Sequence, residues 1–369
     1  MKLGVDLSTY LEEKAFGAKW YVKGREVDPF EAFRSNGVDY LRLRVWNNPY
    51  GKSGSPFLGG TNDREKLLKC ALKGTKLGYG IVVDFHYSDF WCDPGKQYLP
   101  RSWERLDFEG VKAALRRFTS ETLLLLKDAG VKVHAVQVGN EITNGFLWPL
   151  AKLNGEAPSR TGYEALAALL KEGAEAVKGV YPDALVIFHL ENSGNRVVLD
   201  EWFSKITELG VPFDMMGLSY YPYWHGPMGN FFDNVIYLKD KFKKDVAVME
   251  TGFAFTLKDY ESGDKAQQLV VNEEAAAKMK ENLPYECTPE GQRLYVKDFL
   301  ARAREAGVSE VYYWEPAWIP VKGAGWASLE GQAYVHQPEV KESRNEWANQ
   351  ILFDYEGEAT PAFEEYKND

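Results

Sequence analysis

Two glutamates each stand alone at the end of an apolar run: Glu141 after Val136-Gln137-Val138-Gly139-Asn140, and Glu250 after Val246-Ala247-Val248-Met249. A carboxylate at the tip of an apolar strand loses hydration, so it must be paired, hydrogen-bonded or shifted in pKa. Two such groups facing each other, one held as the acid and one ionised, are what cleavage of a glycosidic bond requires. A salt bridge, for example to Arg44, is the competing explanation for each. Other reactive side chains close similar runs. Arg44, Trp46 and Asn47 end one; Asp84, His86 and Asp89 end the next. His189, Glu191 and Asn192 end a later one, as do Tyr220, Tyr221, Trp224 and His225, and finally Trp314 and Glu315. Polar and aromatic residues gathered at one end of every run are hard to explain by packing alone.

The elements that must carry these tips repeat along the chain. Short runs rich in Val, Ile, Leu and aromatics occur near Leu3–Leu7, Gly37–Val45, Tyr79–His86, Gly130–Val138, Leu185–Leu190, Gly210–Leu218, Val246–Met249 and Gly307–Trp314. Such runs suit buried parallel strands. Helical stretches separate them: Asp63–Lys76 with Asp63 near its N-cap, Phe108–Ala129, Tyr163–Val180 stopped by Pro182, and Gln292–Ala306 ended by Gly307. Eight strands alternating with helices predict an α/β fold, a single (β/α)8 TIM barrel with extended βα loops, as one catalytic domain over 1–369. A doubly wound open sheet is the alternative, but no GxGxxG or GxxxxGK[ST] supports a nucleotide-binding version. In a barrel, chemistry sits at the C-terminal ends of the strands.

Composition narrows the partners. The 369 residues are 45% hydrophobic and 27% charged, which excludes general disorder. Forty-four basic against 54 acidic residues give a net charge of −10, opposite to a nucleic-acid footprint. No apolar run reaches the roughly 18 residues of a membrane helix. The start, Met1-Lys2-Leu3-Gly4-Val5-Asp6, shows no signal peptide, which leaves the compartment open. Three cysteines, Cys70, Cys92 and Cys287, are too scattered for a disulfide framework or a zinc cluster. Aromatics reach 14%, with 11 Trp and 21 Tyr, enough to build surfaces that stack flat ligands; the charge favours sugars over bases.

At this point a resemblance becomes specific. Arg42-Leu43-Arg44-Val45-Trp46-Asn47, Asp84-Phe85-His86-Tyr87-Ser88-Asp89-Phe90-Trp91 and Gly139-Asn140-Glu141-Ile142-Thr143-Asn144-Gly145 resemble signatures of the family 53 glycoside hydrolases, the endo-β-1,4-galactanases. So do Tyr220-Tyr221-Pro222-Tyr223-Trp224-His225-Gly226 and Glu250-Thr251-Gly252, all in family order, and Asp93-Pro94-Gly95-Lys96-Gln97 adds specificity. The resemblance implies a retaining double displacement on a polysaccharide, β-1,4-galactan, by a monomer that needs no cofactor. Glu141 would be the acid/base and Glu250 the nucleophile, oriented by Arg44. Asn140 would bond the sugar 2-OH. Adjacent strand residues face opposite ways, so Asn140 and Glu141 share a site only if the strand has ended or bulged.

The resemblance further places His86 at the sugar subsite beside the cut and Trp314 as its apolar floor, with a cis peptide between Trp314 and Glu315. Asp84 and His189 belong to the same binding set. Trp46, Trp91, Trp224 and Trp318 are candidates for further stacking, with barrel-rim core an equal reading for each. Tyr220 or Tyr221 would bond the nucleophile, and His225 would tune Glu141 or Tyr221; His134 reads as structural. Bacterial relatives often bind calcium after the seventh strand. Here Lys258–Asp264 offers Asp259, Glu261 and Asp264 without the close spacing of calcium loops, so a solvated acidic loop is expected instead. Three other readings stand beside a galactanase: a related retaining enzyme on mannan or glucan, a binding protein that has lost catalysis, and a metal-dependent barrel hydrolase using Asp84, His86, His189 and His225. The absence of HxH and HExxH argues against the last. The presence of both glutamates argues against the binding protein.

Overall fold

A computed structural model describes residues 1–153, 160–261, 269–336 and 344–367. Eight strands run parallel: β1 (Lys2–Asp6), β2 (Tyr40–Val45), β3 (Gly80–Phe85), β4 (Val133–Val138), β5 (Leu185–Leu190), β6 (Met215–Tyr220), β7 (Asp245–Thr251) and β8 (Glu310–Tyr313). They close into a barrel, with β1 paired to β2 on one side (Val5 opposite Leu41) and to β8 on the other (Leu3 opposite Val311). All eight strands expected from the apolar runs are present, and the open-sheet alternative is excluded.

The connecting helices form as their sequences dictate. Asp63 caps Arg64–Lys76 by accepting from the Lys66 amide. Asp107 caps Phe108–Asp128 and Thr288 caps Pro289–Glu305 in the same way. Each helix presents an apolar stripe to the outer face of the sheet, as Val111, Leu115, Phe118 and Leu126 do from Phe108–Asp128.

The barrel interior is split along its axis. Alternation places residues i and i+2 of each strand inward. At the lower level these are Val82, Ala135, Ile187, Met215, Ala247 and Tyr312, a small buried cluster separate from the main core. Two residues further on, three of the same strands carry Asp84, Gln137 and His189, all buried, and β2 carries Arg42. An apolar plug therefore seals the bottom, and a polar layer lies on it beneath the mouth. At the lower end His134 stacks on Tyr40, ring centroids 4.0 Å apart, and bonds Glu310 through Nε2 at 2.7 Å.

The plug is closely fitted. A Cβ on Gly4 would lie 2.3 Å from the Tyr312 ring. Gly4→Ala is expected to destabilise the protein by about 1–3 kcal/mol through overpacking. Denaturant unfolding checks this, and an unchanged midpoint would mean that the Tyr312 ring can move aside.

Candidate active site

The strand tips open into a cleft of about 490 Å³. Its walls include His86, Trp91, Asn140, Glu141, Tyr221, Trp224, His225, Glu250 and Trp314 from the residues expected, together with Asp93, Glu191, Asn192, Val270, Trp326 and Trp347.

Asn140 and Glu141 share the cleft because β4 has ended. Gly139 at φ 87° and Glu141 in the left-handed region at φ 50° break the alternation just past Val138. A Cβ on Gly139 would approach Ile142 Cγ2 to 2.7 Å, so the turn requires glycine. The Asn140 amide is then locked: Nδ2 donates to the Cys92 carbonyl at 2.9 Å, and Oδ1 accepts from Arg42 at 2.9 Å.

Glu250 ends the apolar β7 run opposite. One carboxylate oxygen of each glutamate lies within 4.8 Å of the other. Their surroundings differ. Glu250 Oε1 meets Arg42 Nη2 at 3.0 Å, and Oε2 accepts from the Tyr221 hydroxyl at 3.0 Å. Among the described residues no cation pairs with Glu141; its Oε1 accepts from Ser219 Oγ at 2.7 Å. Ser219 in turn lies 2.8 Å from His189 Nε2. With the serine proton spent on Glu141, His189 Nε2 is the donor in that contact. Its Nδ1 lies 3.0 Å from both Gln137 Nε2, a donor, and Asn140 Oδ1, an acceptor; a neutral ring protonated at Nε2 takes the Gln137 proton. Burial and the nearby Arg42 charge hold the His189 pKa well below its usual value, in accord with that state.

Electrostatics separates the pair. Loss of hydration pushes Glu141 well above the ordinary carboxylate range; the charges of Glu250 and Glu191 add to this, and Ser219 opposes it. Burial also pushes Glu250 up to about 7, against the pull of Arg42 and Tyr221. One proton shared by the two therefore resides on Glu141, at Oε2, because Oε1 is already an acceptor. Asp84 lies below. Burial raises it, but Arg42 and His86 together hold it under its usual value, so it stays ionised.

Several expected roles are corrected. Arg44 does not hold Glu250; Arg42 does. Arg44 stands one layer nearer the mouth and pairs with Glu315 at 2.5 Å and the Gly59 carbonyl at 2.8 Å. Its guanidinium lies 4.4 Å from the Trp91 ring centroid. Trp46 is fully buried behind Trp91, centroids 4.9 Å apart, so it is core and not a sugar contact. Trp318 is likewise buried, stacked under Trp326 at 5.6 Å. Asp84 and His189 sit beneath the cleft and position its walls. Among the described residues the one cis peptide is Trp148-Pro149; Trp314-Glu315 is trans, and the turn there is made by Glu315 at φ 42°. Tyr221, not Tyr220, bonds the nucleophile candidate; Tyr220 donates to the Gly226 carbonyl at 2.9 Å. His225 Nδ1 accepts from the Tyr221 amide at 2.9 Å, fixing the residue that holds Glu250.

The aromatic wall is larger than expected. Trp326 stacks on Trp91 at 4.6 Å, and Trp347 meets Trp314 edge-on at 4.7 Å. Both come from the long segment after β8, away from any strand tip, which is why the tip pattern did not reveal them.

Most groups that could ligate a metal already have protein partners. His86 Nδ1 accepts from the Cys92 amide at 3.1 Å and its Nε2 faces Asp84 at 3.1 Å, so both ring nitrogens are engaged. Glu141, His189 and Glu250 each offer one atom within 4.8 Å of the others, but both His189 nitrogens are committed and Arg42 already neutralises Glu250. In the loop after β7, the side chain of Asp259 is shielded, not solvated. It pairs with Arg344, whose Nε also lies 3.1 Å from Glu261. A guanidinium thus occupies the acidic pair; Asp264 lies outside the described residues.

Known proteins of one family match this chain over almost its whole length. The family model for Glycosyl hydrolase family 53 matches residues 2–366. An endo-β-1,4-galactanase of Bacillus subtilis is 33% identical over 392 residues, covering 99% of this chain and 85% of that protein. An arabinogalactan endo-β-1,4-galactanase of Cellvibrio japonicus is 30% identical, covering 100% and 90%. Among solved structures, the GH53 catalytic domain of Ignisphaera aggregans aligns with a TM-score of 0.87 at 33% identity, covering 98% and 94%.

A raised carboxyl pKa makes stability fall with pH. The contribution is intact below the ordinary carboxylate value and is lost as pH rises through the raised one. Glu141→Gln removes that loss. It is expected to stabilise the fold by at least ~1 kcal/mol at pH 8 and by little at pH 4. Thermal unfolding at the two pH values checks this, and an equal effect at both would contradict the raised value.

Proposed function

The chain belongs to glycosyl hydrolase family 53, and from that premise we propose that it is an endo-β-1,4-galactanase, cleaving internal bonds of galactan and type I arabinogalactan with retention. The observation that carries this is the Glu141–Glu250 pair, oxygens within 4.8 Å, in a tryptophan-lined cleft. Retaining enzymes hold their carboxyl groups about 5–5.5 Å apart, whereas inversion needs roughly 6.5–9.5 Å to admit a water.

The geometry divides the labour. Glu250, ionised between Arg42 and Tyr221, attacks the anomeric carbon. As that C–O bond forms, the bond to the leaving sugar breaks, and its O4 takes the proton from Glu141 Oε2. Water then attacks the glycosyl-enzyme ester. Its proton passes to Glu141, and Glu250 leaves as the carboxylate. Trp314, with Trp347 edge-on to it, floors the reacting sugar, while Trp91 and Trp326 offer further stacking faces. Asn140 sits next to Glu141 with its amide fixed, in place to bond the 2-OH. A neutral polymer needs no attraction by charge, consistent with a chain of net charge −10.

We take the enzyme to act as a monomer and without a metal. Arg42 and Arg344 stand beside Glu250 and Asp259, where a cation would otherwise sit.

A reducing-sugar assay on β-1,4-galactan beside mannan, xylan and β-glucan tests the substrate. Activity confined to galactan is expected, and activity on the others alone would reassign the enzyme. Glu250→Ala should lower kcat by roughly 10⁴-fold or more, in keeping with loss of a covalent nucleophile, while the fold is kept. Surviving wild-type turnover would remove Glu250 from the role. Chelation should leave the rate unchanged; a large loss restored by added cation would overturn the metal-free mechanism.

A further inference from the structure

The double displacement uses two carboxylates, but a third opens into the same cleft. Glu191 follows β5 directly and lines the cleft beside Asn192. Its Oε2 is buried and accepts no hydrogen bond of ordinary geometry from the described residues, although Thr143 stands close enough to stabilise its charge. A buried, unpartnered carboxylate oxygen is costly to keep, so such an atom at a cleft wall points to a donor that arrives with the ligand. A neutral polysaccharide carries hydroxyl donors only.

The position of Glu191 around the barrel says which sugar supplies the hydroxyl. The acid Glu141 must face the oxygen of the departing sugar, and Glu250 the carbon left behind. Trp91, Trp314, Trp326 and Trp347 stand toward β3 and β8. On the other side of Glu141, the tips of β5 and β6 bring Glu191, Asn192 and Trp224. Trp224 is 63% exposed, a free indole face at the rim. The charge of Glu191 is also close enough to help raise Glu141. Burial pushes Glu191 itself up to about 7, with Thr143 holding it down, so its own ionisation is finely balanced.

We infer that Glu191 is a substrate-binding residue for the leaving-group sugar: Oε2 accepts a hydrogen bond from a hydroxyl of the unit whose O4 is released, and Trp224 stacks against the same unit. This rests on the galactanase reading and assigns it a subsite. The carboxylate serves binding and orientation on the departing side and takes no part in bond making.

The test compares two leaving groups across the pH range. Galacto-oligosaccharides release a sugar; a nitrophenyl β-galactobioside releases a phenol that offers no hydroxyl to Glu191. Glu191→Ala should lower kcat/KM on the oligosaccharides roughly 10- to 100-fold, the worth of a hydrogen bond to a charged group. It should change the aryl substrate by less than about twofold once the pH profiles are aligned. Glu191→Gln keeps an acceptor oxygen, should recover part of the loss, and gives the same contrast if the alanine variant does not fold. Equal losses on both substrates would place Glu191 behind Glu141 and overturn the inference, as would an unchanged rate on the oligosaccharides. If the wild-type protein cleaves no galactan, the galactanase reading fails; if it does and the contrast is absent, only this assignment fails.

Discussion

The active end of the barrel depends on one buried guanidinium. Arg42 is fully buried: Nη1 reaches Asp6 at 3.2 Å, Nη2 faces Asp84 at 2.8 Å, Asn140 Oδ1 at 2.9 Å and Glu250 at 3.0 Å, and Nε donates to Gln137 at 3.1 Å. Taking such ions out of water costs several kcal/mol each, repaid only where geometry is good and every polar atom is satisfied. Here the barrel supplies that geometry. Strands β1, β2, β3 and β7 converge on one point, and the apolar plug below keeps water from reaching it from the other end. If Arg42 were absent, the three carboxylates of Asp6, Asp84 and Glu250 would repel one another in a site of low polarity. With it in place, Glu250 has a reason to carry charge and Glu141 has none.

Arg44, two residues on, serves a separate purpose. Its partner Glu315, pushed up to about 8 by burial and held down by Arg44, anchors the turn that follows Trp314. Thr9 completes the anchor through its amide at 3.1 Å and hydroxyl at 2.7 Å. The same guanidinium underlies the Trp91 ring. One arginine thus organises the charges of the reaction and the next organises the aromatic floor. Because both side chains project into the barrel from β2, a change that swapped their partners would disturb chemistry and sugar binding together.

This also explains what could be read in the sequence. The eight strands, their order and the two glutamates were legible because strand periodicity and burial are local properties. The end of β4 before Glu141 was legible as a requirement, since Asn140 and Glu141 could not otherwise meet. The choice between Arg42 and Arg44 was not. Both have the same parity on one strand, and only the depth of the barrel, about two residues' rise, separates their partners. For Trp46 and Trp318 the choice between stacking and core stayed open for a similar reason. Tip position was visible, but the later segments that cover them were not, and Trp326 and Trp347 enter from those segments. The Asp259 pair escaped because its partner, Arg344, lies 85 residues away along the chain.

The contrast between the two walls of the cleft follows from the same closure. On the β3 and β8 side, indole faces are packed against one another, and Trp91 and Trp347 spend their N–H groups on the carbonyls of Trp326 and Trp314. That wall is preformed, so a sugar meeting it loses little to ordering the protein. On the β5 and β6 side, Glu191 keeps an unpaired oxygen and Trp224 a free face. Rigid stacking suits the sugar that must be held while its anomeric carbon changes partner. Hydrogen bonding that a single hydroxyl can satisfy or release suits the sugar that must depart before water can attack. Glu141 stands between the two, and in the proposed mechanism its proton moves toward the side that leaves.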